Sequence, residues 1–377
     1  MRSIFATNKK IKRDVFVYLL FILFSIYTLV LMTNSLFLPE NFDNDATYIR
    51  FLIHVQCDKD VGAFDGFCNT ALIYSGLGAD AVFPEWLVIL VANTVYWIAA
   101  IKVLKKSALH RQNFFKILVS LSWIFCSALF LSRYSKDLLA IVPIFFICFV
   151  RMKTYLQKIA VLLVVFAYMI YIRQYWALIL YFYFAFHYLF FQVNKSISFK
   201  LIVMAVISFL PFWISSILGH QYLTDWRIIS NLVSSDPDRA KSALDNLLAN
   251  TSVLTDYVNA FYGWFYLNIP IQILFSDVIY YKAFALFQFG SVVTLLATIY
   301  AEFKFHHERS ITADPFYSRC LSFVLAYSLT QAIFEPDVGS FLRHEIILAV
   351  PLIYILYPKR ANLEQSKHNI VKTKLAI

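Results

Sequence analysis

An all-α integral membrane protein is the fold class that this sequence predicts, and three observations predict it. Apolar residues make up 60% of the 377 residues, charged residues only 15%, and the mean hydropathy is +0.66. A soluble domain carries about 25% charged residues. Runs of about 20 residues with almost no charge recur along the chain, and each could cross a hydrocarbon core of about 30 Å. The formal net charge of +10 rests on too few charged residues for a nucleic-acid-binding protein.

The apolar runs predict about ten transmembrane helices in a single polytopic membrane domain, 1–377. The first run, 15–38, is too long for the apolar region of a signal peptide and lacks a small-residue cleavage site, so we interpret it as a span. In chain order the predicted spans are 15–38, 86–103, 115–132, 138–150, 159–172, 175–192, 200–218, 283–303, 317–334 and 345–358.

The distribution of loop charges predicts that both termini are cytoplasmic. With the N-terminus inside, the inside segments contain 23 of the 33 Lys and Arg residues but only 5 of the 23 Asp and Glu residues. Cytoplasmic loops retain an excess of Lys and Arg, whereas Asp and Glu have little influence on orientation. The Lys-rich tail, 359–377, is therefore expected in the cytoplasm.

Two outer loops, about 39–85 and 219–282, are large enough to form structure outside the membrane. Within the second, the aromatic segment 257–282 is interrupted by Gly263 and Pro270. We interpret it as interfacial or re-entrant, because a further crossing would place the Lys-rich tail outside and because Trp and Tyr are enriched at headgroup depth.

Five cysteines are spread along the chain without a metal-binding spacing. Cys57 and Cys68 both lie in the first outer loop, where a disulfide could form if that side is an oxidising space. Cys126, Cys148 and Cys320 lie in predicted spans and are interpreted as packing residues.

Basic residues in short outer turns predict a binding site for an anion. Arg133 and Lys136 lie in the turn SRYSKD, Arg173 lies in RQYW, and Arg343 lies in EPDVGSFLRHE. Orientation rules disfavour basic residues on this side, so their retention in three turns requires a reason. Guanidinium groups bind phosphate in a bidentate manner and can neutralise a departing diphosphate. The alternative is that each side chain lies along the lipid interface without a further role.

The last outer turn combines acids with a candidate base. Glu335, Asp337, His344 and Glu345 lie within eleven residues, around a Gly-Ser pair. A histidine or carboxylate there could deprotonate an attacking hydroxyl, with its pKa set by the neighbouring arginine and by burial. The alternative is a salt-bridge network that joins the last two spans.

The sequence favours chemistry without a metal ion. The segment 236–238, Asp-Pro-Asp, has the DxD form of a metal site, but its central proline and its polar surroundings are typical of an ordinary turn. The basic turns could neutralise a phosphate leaving group on their own.

The outer loops also contain candidate substrate-binding residues. These are Asp43, Asp45, Tyr48, Trp176, Trp226 and Arg227. A carboxylate soon after the first span could act as a base or position a sugar hydroxyl, although Asp45 could instead cap a helix at 46–56. An aromatic face beside a charged pair, as in the segment 225–227, suits contact with carbohydrate.

These features together resemble the Wzy-type polymerases of O-antigen and capsular polysaccharides. The resemblance rests on about ten spans with both ends inside, on the outer SRYSKD and RQYW turns, and on EPDVGSFLRHE followed by an apolar, proline-containing span. In architecture it covers the whole chain, whereas the sequence match is confined to those turns. It implies a bacterial inner-membrane glycosyltransferase that acts at the periplasmic face. Such an enzyme transfers a growing glycan from undecaprenyl diphosphate to the non-reducing end of a new undecaprenyl-diphosphate-linked repeat unit.

The resemblance also implies roles for the residues of the turns. Arg133, Lys136, Arg173 and Arg343 would bind the diphosphate and stabilise the leaving group. The acceptor hydroxyl would be activated by His344, Glu335, Asp337 or Glu345. No cofactor is expected. The implied partners are lipid-linked oligosaccharides, membrane lipids, a chain-length regulator and a flippase, and no nucleic acid.

Two other functions stay open from the sequence. GT-C glycosyltransferases have a similar scaffold and use polyprenyl-phosphate sugars, and many carry a catalytic acid soon after the first span, which Asp43 or Asp45 could match. A transporter or flippase for lipid-linked glycans should show repeated halves and charged helices near the bilayer midplane. The charges here lie at one face and no repeat is visible, so we favour the polymerase.

Overall fold

The computed structural model describes residues 22, 26, 44–55, 65–78, 82–104, 114–131, 133–193, 196–219, 222–233, 243–275, 279–309 and 314–357. Within these ranges every regular element is a helix, and one isolated bridge joins Ala243 to Asp337. The predicted all-α class is therefore confirmed for this part of the chain.

The helices are numbered here in chain order. They are α1 Asn44–Val55, α2 Gly66–Gly76, α3 Glu85–Leu104, α4 Phe114–Leu131, α5 Lys136–Phe149, α6 Tyr155–Tyr171, α7 Trp176–Phe191, α8 Ile197–Gly219, α9 Asp225–Val233, α10 Val253–Asn268, α11 Ile279–Arg309, α12 Pro315–Phe334, α13 Val338–Glu345 and α14 Ala349–Leu356. Short 3₁₀ helices lie at Ile271–Phe275 and Ile346–Leu348.

Among the described residues, four helical segments are long and apolar enough to cross a membrane. They are Phe114–Leu131, Ser198–Gly219, Tyr281–Lys304 and Val338–Leu356. Shorter apolar helices lie at Glu85–Ile98, Tyr155–Tyr171 and Trp176–Phe191. The chain is thus an α-helical protein with membrane-spanning character. The predicted first span, 15–38, lies outside the described residues except at positions 22 and 26, which are both helical.

The last helical run lies in the centre of the molecule. Helix α13, the 3₁₀ turn and α14 follow one another without a break, and 83% of the segment Val338–Leu356 is buried, against 11% of Ser198–Gly219. Its α14 part is apolar on all sides, and such a helix is expected inside a bundle. This run begins at Val338, seven residues before the predicted span 345–358, because the Asp337 side chain caps its start. Arg343 and His344 therefore lie within a helix and not in a turn.

Helix α12 forms the other half of the core. It packs against α7, α10, α14 and α5. Trp176, the first residue of α7, is fully buried, and its ring centroid lies 5.9 Å from that of Phe323 and 4.6 Å from that of Tyr168. Aromatic pairs at such distances are stabilising. These contacts hold the α6–α7 turn beside the bundle. Trp176, predicted as a candidate substrate-binding residue, is a packing residue here.

Part of the second outer loop folds against the end of α12. Arg227 of α9 is fully buried and donates hydrogen bonds to the Ala332 carbonyl at 3.1 Å and to Asn246. A Cβ atom at Gly263 would lie 2.9 Å from the Ala332 carbonyl oxygen and 2.4 Å from Arg227 Nη1, so this position of α10 favours glycine. The predicted contact of Arg227 with carbohydrate is corrected, because its guanidinium fixes the loop to the bundle.

Helix α10 covers the first part of the ambiguous segment 257–282. It has 16 residues, ends before Pro270 and is not among the four segments that could cross a membrane. The interfacial position of this segment stays a prediction.

The cysteines agree with the sequence where they are described. Cys126, Cys148 and Cys320 are free and buried, as expected for packing residues. Cys68 is disulfide-bonded. Cys57 lies outside the described residues.

Candidate functional site

The short basic turns and the last outer segment meet at one end of the bundle. We call the side chains that meet there the polar cluster, and its members are Asp45, Lys136, Asp137, Arg173, Glu335, Arg343 and His344. They come from α1, the start of α5, the α6–α7 turn, the end of α12 and α13. Residues almost 300 positions apart in the chain therefore form one site.

Helix capping fixes two of these segments. The Ser135 side chain accepts a hydrogen bond from the Leu138 amide at 3.1 Å and so caps α5, which places Lys136 and Asp137 in its first turn. The Asp337 side chain accepts hydrogen bonds from the Ser340 amide and hydroxyl, both at 2.8 Å. Asp337 is thus an N-cap residue, which corrects its predicted role as a candidate base.

A close backbone approach fixes the third segment. A Cβ atom at Gly66, the first residue of α2, would lie 2.2 Å from the Ile172 carbonyl oxygen. The side-chain amide of Asn69 donates a hydrogen bond to the Tyr171 backbone carbonyl at 2.8 Å. Only glycine permits this contact, and it holds the residue before Arg173 against the first outer loop.

Arg173 and Asp137 form a buried ion pair at the base of the polar cluster. Arg173 Nη2 lies 2.6 Å from Asp137 Oδ1, and the two residues are only 7% and 2% exposed. Arg173 Nη1 also donates a hydrogen bond to the Tyr175 hydroxyl. A guanidinium with this little exposure is held by its partners, so Arg173 supplies positive charge from below the surface.

His344 lies between an acid and two guanidinium groups. Its Nδ1 is 2.6 Å from Glu335 Oε1, whereas its Nε2 faces Arg173 Nη2 at 3.0 Å and Arg343 Nη2 at 3.4 Å. A guanidinium nitrogen can only donate, so Nε2 carries the lone pair and Nδ1 carries the proton that is donated to Glu335. This arrangement is that of a base oriented by an acid.

Arg343 and Asp45 form the outer part of the polar cluster. Arg343 Nη1 lies 3.2 Å from Asp45 Oδ2, and both side chains are about a quarter to a third exposed. Burial raises the pKa of Asp45, but attraction to Arg343, Lys136 and Arg173 outweighs burial and holds the pKa below its ordinary value. Asp45 lies in the first turn of α1, Asn44–Val55, and so is not the N-cap of a helix at 46–56, the alternative that the sequence left open.

Lys136 is partly buried, with its Nζ atom 3.2 Å above the centroid of the Phe67 ring. It precedes the apolar segment 138–150. Burial, together with repulsion from Arg173 and Arg343, lowers the pKa of Lys136 to about 8. Lys136 therefore titrates close to neutral pH.

Glu335 follows α12 and lies outside the spans on either side of it. Burial raises the pKa of Glu335 to about 8, although Arg173 and Arg343 lower it. At neutral pH the polar cluster then has three cations against two carboxylates, Asp45 and Asp137, and this net positive charge favours an anion.

The other predicted site residues are not among the named members of the polar cluster. Glu345 is buried and accepts a hydrogen bond from the Gln288 amide of α11 at 2.8 Å, which corrects its predicted role as a candidate base. Tyr48 and Trp226 are exposed, as a carbohydrate contact requires. Arg133 is partly buried in the α4–α5 turn. Asp43 lies outside the described residues.

Two residues of the site were missed by the sequence analysis. Asp137 follows Lys136 directly and Tyr175 lies in the RQYW turn, so both stand in segments that had been singled out. An acid beside a basic residue at the start of an apolar helix was the available signal. A buried arginine needs compensating acceptors, and an acid in the adjoining turn can supply one.

Over the described part of the chain, no group of three or more His, Cys, Asp or Glu side chains is arranged to hold a metal ion. The absence of a metal requirement stays a prediction. Comparison of the chain with family models, with curated proteins and with solved structures finds no match.

Proposed function

We propose that this protein polymerises lipid-linked oligosaccharide repeat units at the periplasmic face of a bacterial inner membrane. It would transfer a growing glycan from undecaprenyl diphosphate to the non-reducing end of a new undecaprenyl-diphosphate-linked repeat unit. The observation that carries the proposal is the meeting of Lys136, Arg173 and Arg343 with the His344–Glu335 pair at one end of the bundle. It unites the two chemical needs of the reaction, an anion site for the leaving group and a base for the acceptor.

The geometry suggests how the two parts are coupled. The guanidinium N–H groups of Arg173 and Arg343 point at the Nε2 lone pair of His344. Diphosphate oxygens are stronger acceptors than an imidazole nitrogen, so a bound diphosphate would draw the Arg343 N–H groups away. Nε2 could take a proton once the Arg173 N–H also turned fully to Asp137 Oδ1, its ion-pair partner at 2.6 Å. Lys136 and Arg343 are the accessible cations, and the buried Arg173 attracts the anion through its positive charge.

The transfer step forms one bond and breaks one. The acceptor hydroxyl gives its proton to His344 Nε2, and its oxygen forms a bond to the anomeric carbon of the growing glycan. The bond between that carbon and the diphosphate oxygen breaks, and the electron pair leaves with undecaprenyl diphosphate. Positive charge from Arg343, Lys136 and Arg173 stabilises the departing anion. Glu335 accepts the hydrogen bond from His344 Nδ1 and keeps the ring oriented for the transfer.

The reaction itself is the direct test. The purified protein is incubated with a lipid-linked repeat unit, and products are followed by mass spectrometry. A ladder spaced by whole repeat units, with release of undecaprenyl diphosphate, is expected. Addition of single sugars from a polyprenyl-monophosphate donor would instead identify a GT-C transferase, and movement of the lipid without a new bond would identify a transporter.

The pairing of Asp45 with Arg343 favours the GT-C glycosyltransferase as a second candidate, because it places an acid from the first outer loop in the polar cluster. One variant separates the two functions. Asp45→Asn is expected to keep the polymerase rate within about tenfold, since Asp45 only balances charge, whereas loss of a catalytic base would lower the rate roughly 100- to 10,000-fold.

Arg343→Lys is expected to lower kcat/KM roughly 10- to 100-fold, because one ammonium cannot replace the bidentate group. Both rates are measured with the repeat-unit assay.

Affinity for a diphosphate is expected to fall as the pH rises through about 8. Lys136 loses its positive charge and Glu335 gains a negative charge in the same range, so both changes weaken anion binding. The decrease above that pH is at most about tenfold per pH unit for each group. Farnesyl diphosphate is a suitable probe, because a terminal phosphate group loses its last proton at about pH 6, below this range.

The matched variants are Lys136→Arg, which keeps its charge at high pH, and Glu335→Gln, which never ionises. Each should flatten the titration curve in part, and the double variant should show none of it. An unchanged pH dependence in the double variant would mean that neither residue faces the bound anion.

The proposal includes about ten spans with both termini in the cytoplasm, and a flippase and a chain-length regulator as partners. A reporter protein fused after Lys359 is expected to be active only in its cytoplasmic form. Periplasmic activity at this position would mean an odd number of crossings, with 257–282 as the first segment to re-examine.

A further inference from the structure

An apolar groove runs along the outside of the bundle between α3 and α5, closed at one end by the last turn of α2. Its volume is about 740 Å³, within the range of about 300–1,000 Å³ that is usual for ligand sites. Leu87, Val88, Ala92 and Val95 line it from α3, and aliphatic and aromatic side chains of α5 line the opposite wall. Tyr74 and Tyr96 also line the groove, but their hydroxyl groups are buried, so the lining is almost entirely hydrocarbon.

The groove opens sideways. Val91, Val95 and Val142 lie on its walls and are more than half exposed. These residues belong to apolar helices, so the opening faces the hydrocarbon of a membrane and not water. A ligand that enters from the side must therefore itself be hydrocarbon over most of its length.

One end of the groove is continuous with the polar cluster. The Tyr74 side chain lines the groove, and its hydroxyl donates a hydrogen bond to the carbonyl of Ser135, which caps α5. Lys136 and Asp137 follow in the cluster, and Leu138 and Leu139 already belong to the groove wall. From Leu138 to Phe146 the wall runs along nine residues of α5, about 12 Å at the rise of an α-helix. The groove thus descends into the membrane from the proposed anion site.

We infer that this groove holds the polyprenyl chain of the lipid-linked substrate, with its diphosphate at Lys136 and Arg343. The inference rests on the proposed function and adds a distinct site to it. A cationic head site joined to a hydrocarbon groove matches a molecule with an anionic head and one long apolar tail. A phospholipid has two chains and a smaller charge at its head, so it fits the single groove and its cations less well.

The test measures binding, without catalysis, to the full-length protein in detergent. The probes are inorganic pyrophosphate, farnesyl diphosphate and undecaprenyl diphosphate, which share a head and differ in the tail. Affinity is expected to increase at least tenfold from the first to the last. Equal affinity for all three would overturn the inference and leave the proposed function standing. Binding of long-chain probes without any binding of pyrophosphate would overturn the anion site, and with it the proposed function, but not the groove.

A variant that fills the groove gives the second measurement. Ala92 lies on its wall, so Ala92→Trp is expected to weaken undecaprenyl diphosphate binding at least tenfold and to leave pyrophosphate binding unchanged, which also shows that the variant is folded. Ala301→Trp, on an exposed face of α11, is the matched control and should change neither. If Ala92→Trp does not fold, Val142→Trp on the opposite wall takes its place. Unchanged affinity in a folded filling variant would overturn the inference.

Other occupants are separated by a photo-crosslinking residue at Val91. Crosslinks to undecaprenyl diphosphate, displaced by excess unlabelled probe, are expected. Crosslinks only to a phospholipid, or only to the chain's own apolar segment 15–38, would contradict the inference.

Discussion

Substituting His344 with Gln is expected to lower the rate of glycan transfer roughly 100- to 10,000-fold, the range that a positioned general base contributes. Glutamine has a similar length and can still donate a hydrogen bond to Glu335, but its amide does not take up a proton. The cations of the polar cluster remain, so affinity for farnesyl diphosphate should change little. Single-turnover rates with a lipid-linked repeat unit, beside a binding measurement, separate the two effects.

The matched control for this substitution is His187→Gln in α7. His187 is half-buried among aromatic rings and stacks on Tyr183 with ring centroids 5.8 Å apart. It belongs to no part of the polar cluster, and its substitution should leave the rate within a few-fold of the wild type. Equal losses in the two variants would indicate a general effect of losing a buried imidazole, and the base would then have to be sought elsewhere.

The convergence of the basic turns could be predicted from the sequence because topology limits where short turns lie. Arg173 and Lys136 stand in turns of about six residues between apolar helices, and both turns were assigned to the same membrane face. Turns this short hold their side chains at the helix ends, so the two basic turns have to be near each other if their helices pack together. Helix α5 packs against α6, and this brings Arg173 to Asp137.

The different roles of the four residues in the last outer segment could not be predicted, because they depend on where a helix begins. Successive residues of an α-helix point about 100° apart, so His344 faces the polar cluster while Glu345 faces Gln288. With the segment interpreted as a turn, Glu335, Asp337, His344 and Glu345 were equivalent. Asp337 as N-cap starts the helix and thereby separates their roles.

The burial of Arg227 could not be predicted from the sequence either. Its neighbours Asp225 and Trp226 suggested an exposed loop, and Trp226 is indeed exposed. The partners of Arg227 are Asn246 and backbone carbonyls at Ala332 and Asn259, which come from three other segments. Backbone carbonyls carry no sequence signal, so a buried arginine of this kind resembles a surface one until the fold is known.

Asp137→Asn is expected to have the largest effect on stability. Removing one partner of a buried ion pair costs about 3–5 kcal/mol, because the other charge stays in the interior without compensation. Here the remaining charge is that of Arg173, which is only 7% exposed. The free energy of unfolding can be followed by denaturant titration in detergent micelles. Asp245→Asn, at an exposed carboxylate, is the matched control and should stay within about 0.5 kcal/mol of the wild type.

A double variant then separates stability from function. Asp137→Asn combined with Arg173→Gln removes both charges, and replacing both members of a buried ion pair is far less destabilising than removing one. The double variant should therefore be more stable than Asp137→Asn alone. It should nevertheless be inactive, because Arg173 also holds His344 Nε2 and supplies charge beneath the proposed diphosphate site. A double variant less stable than the single one would show that the two side chains do not depend on each other. A double variant with full activity would reduce Arg173 and Asp137 to a structural strut, and the anion site would have to rest on Lys136 and Arg343 alone.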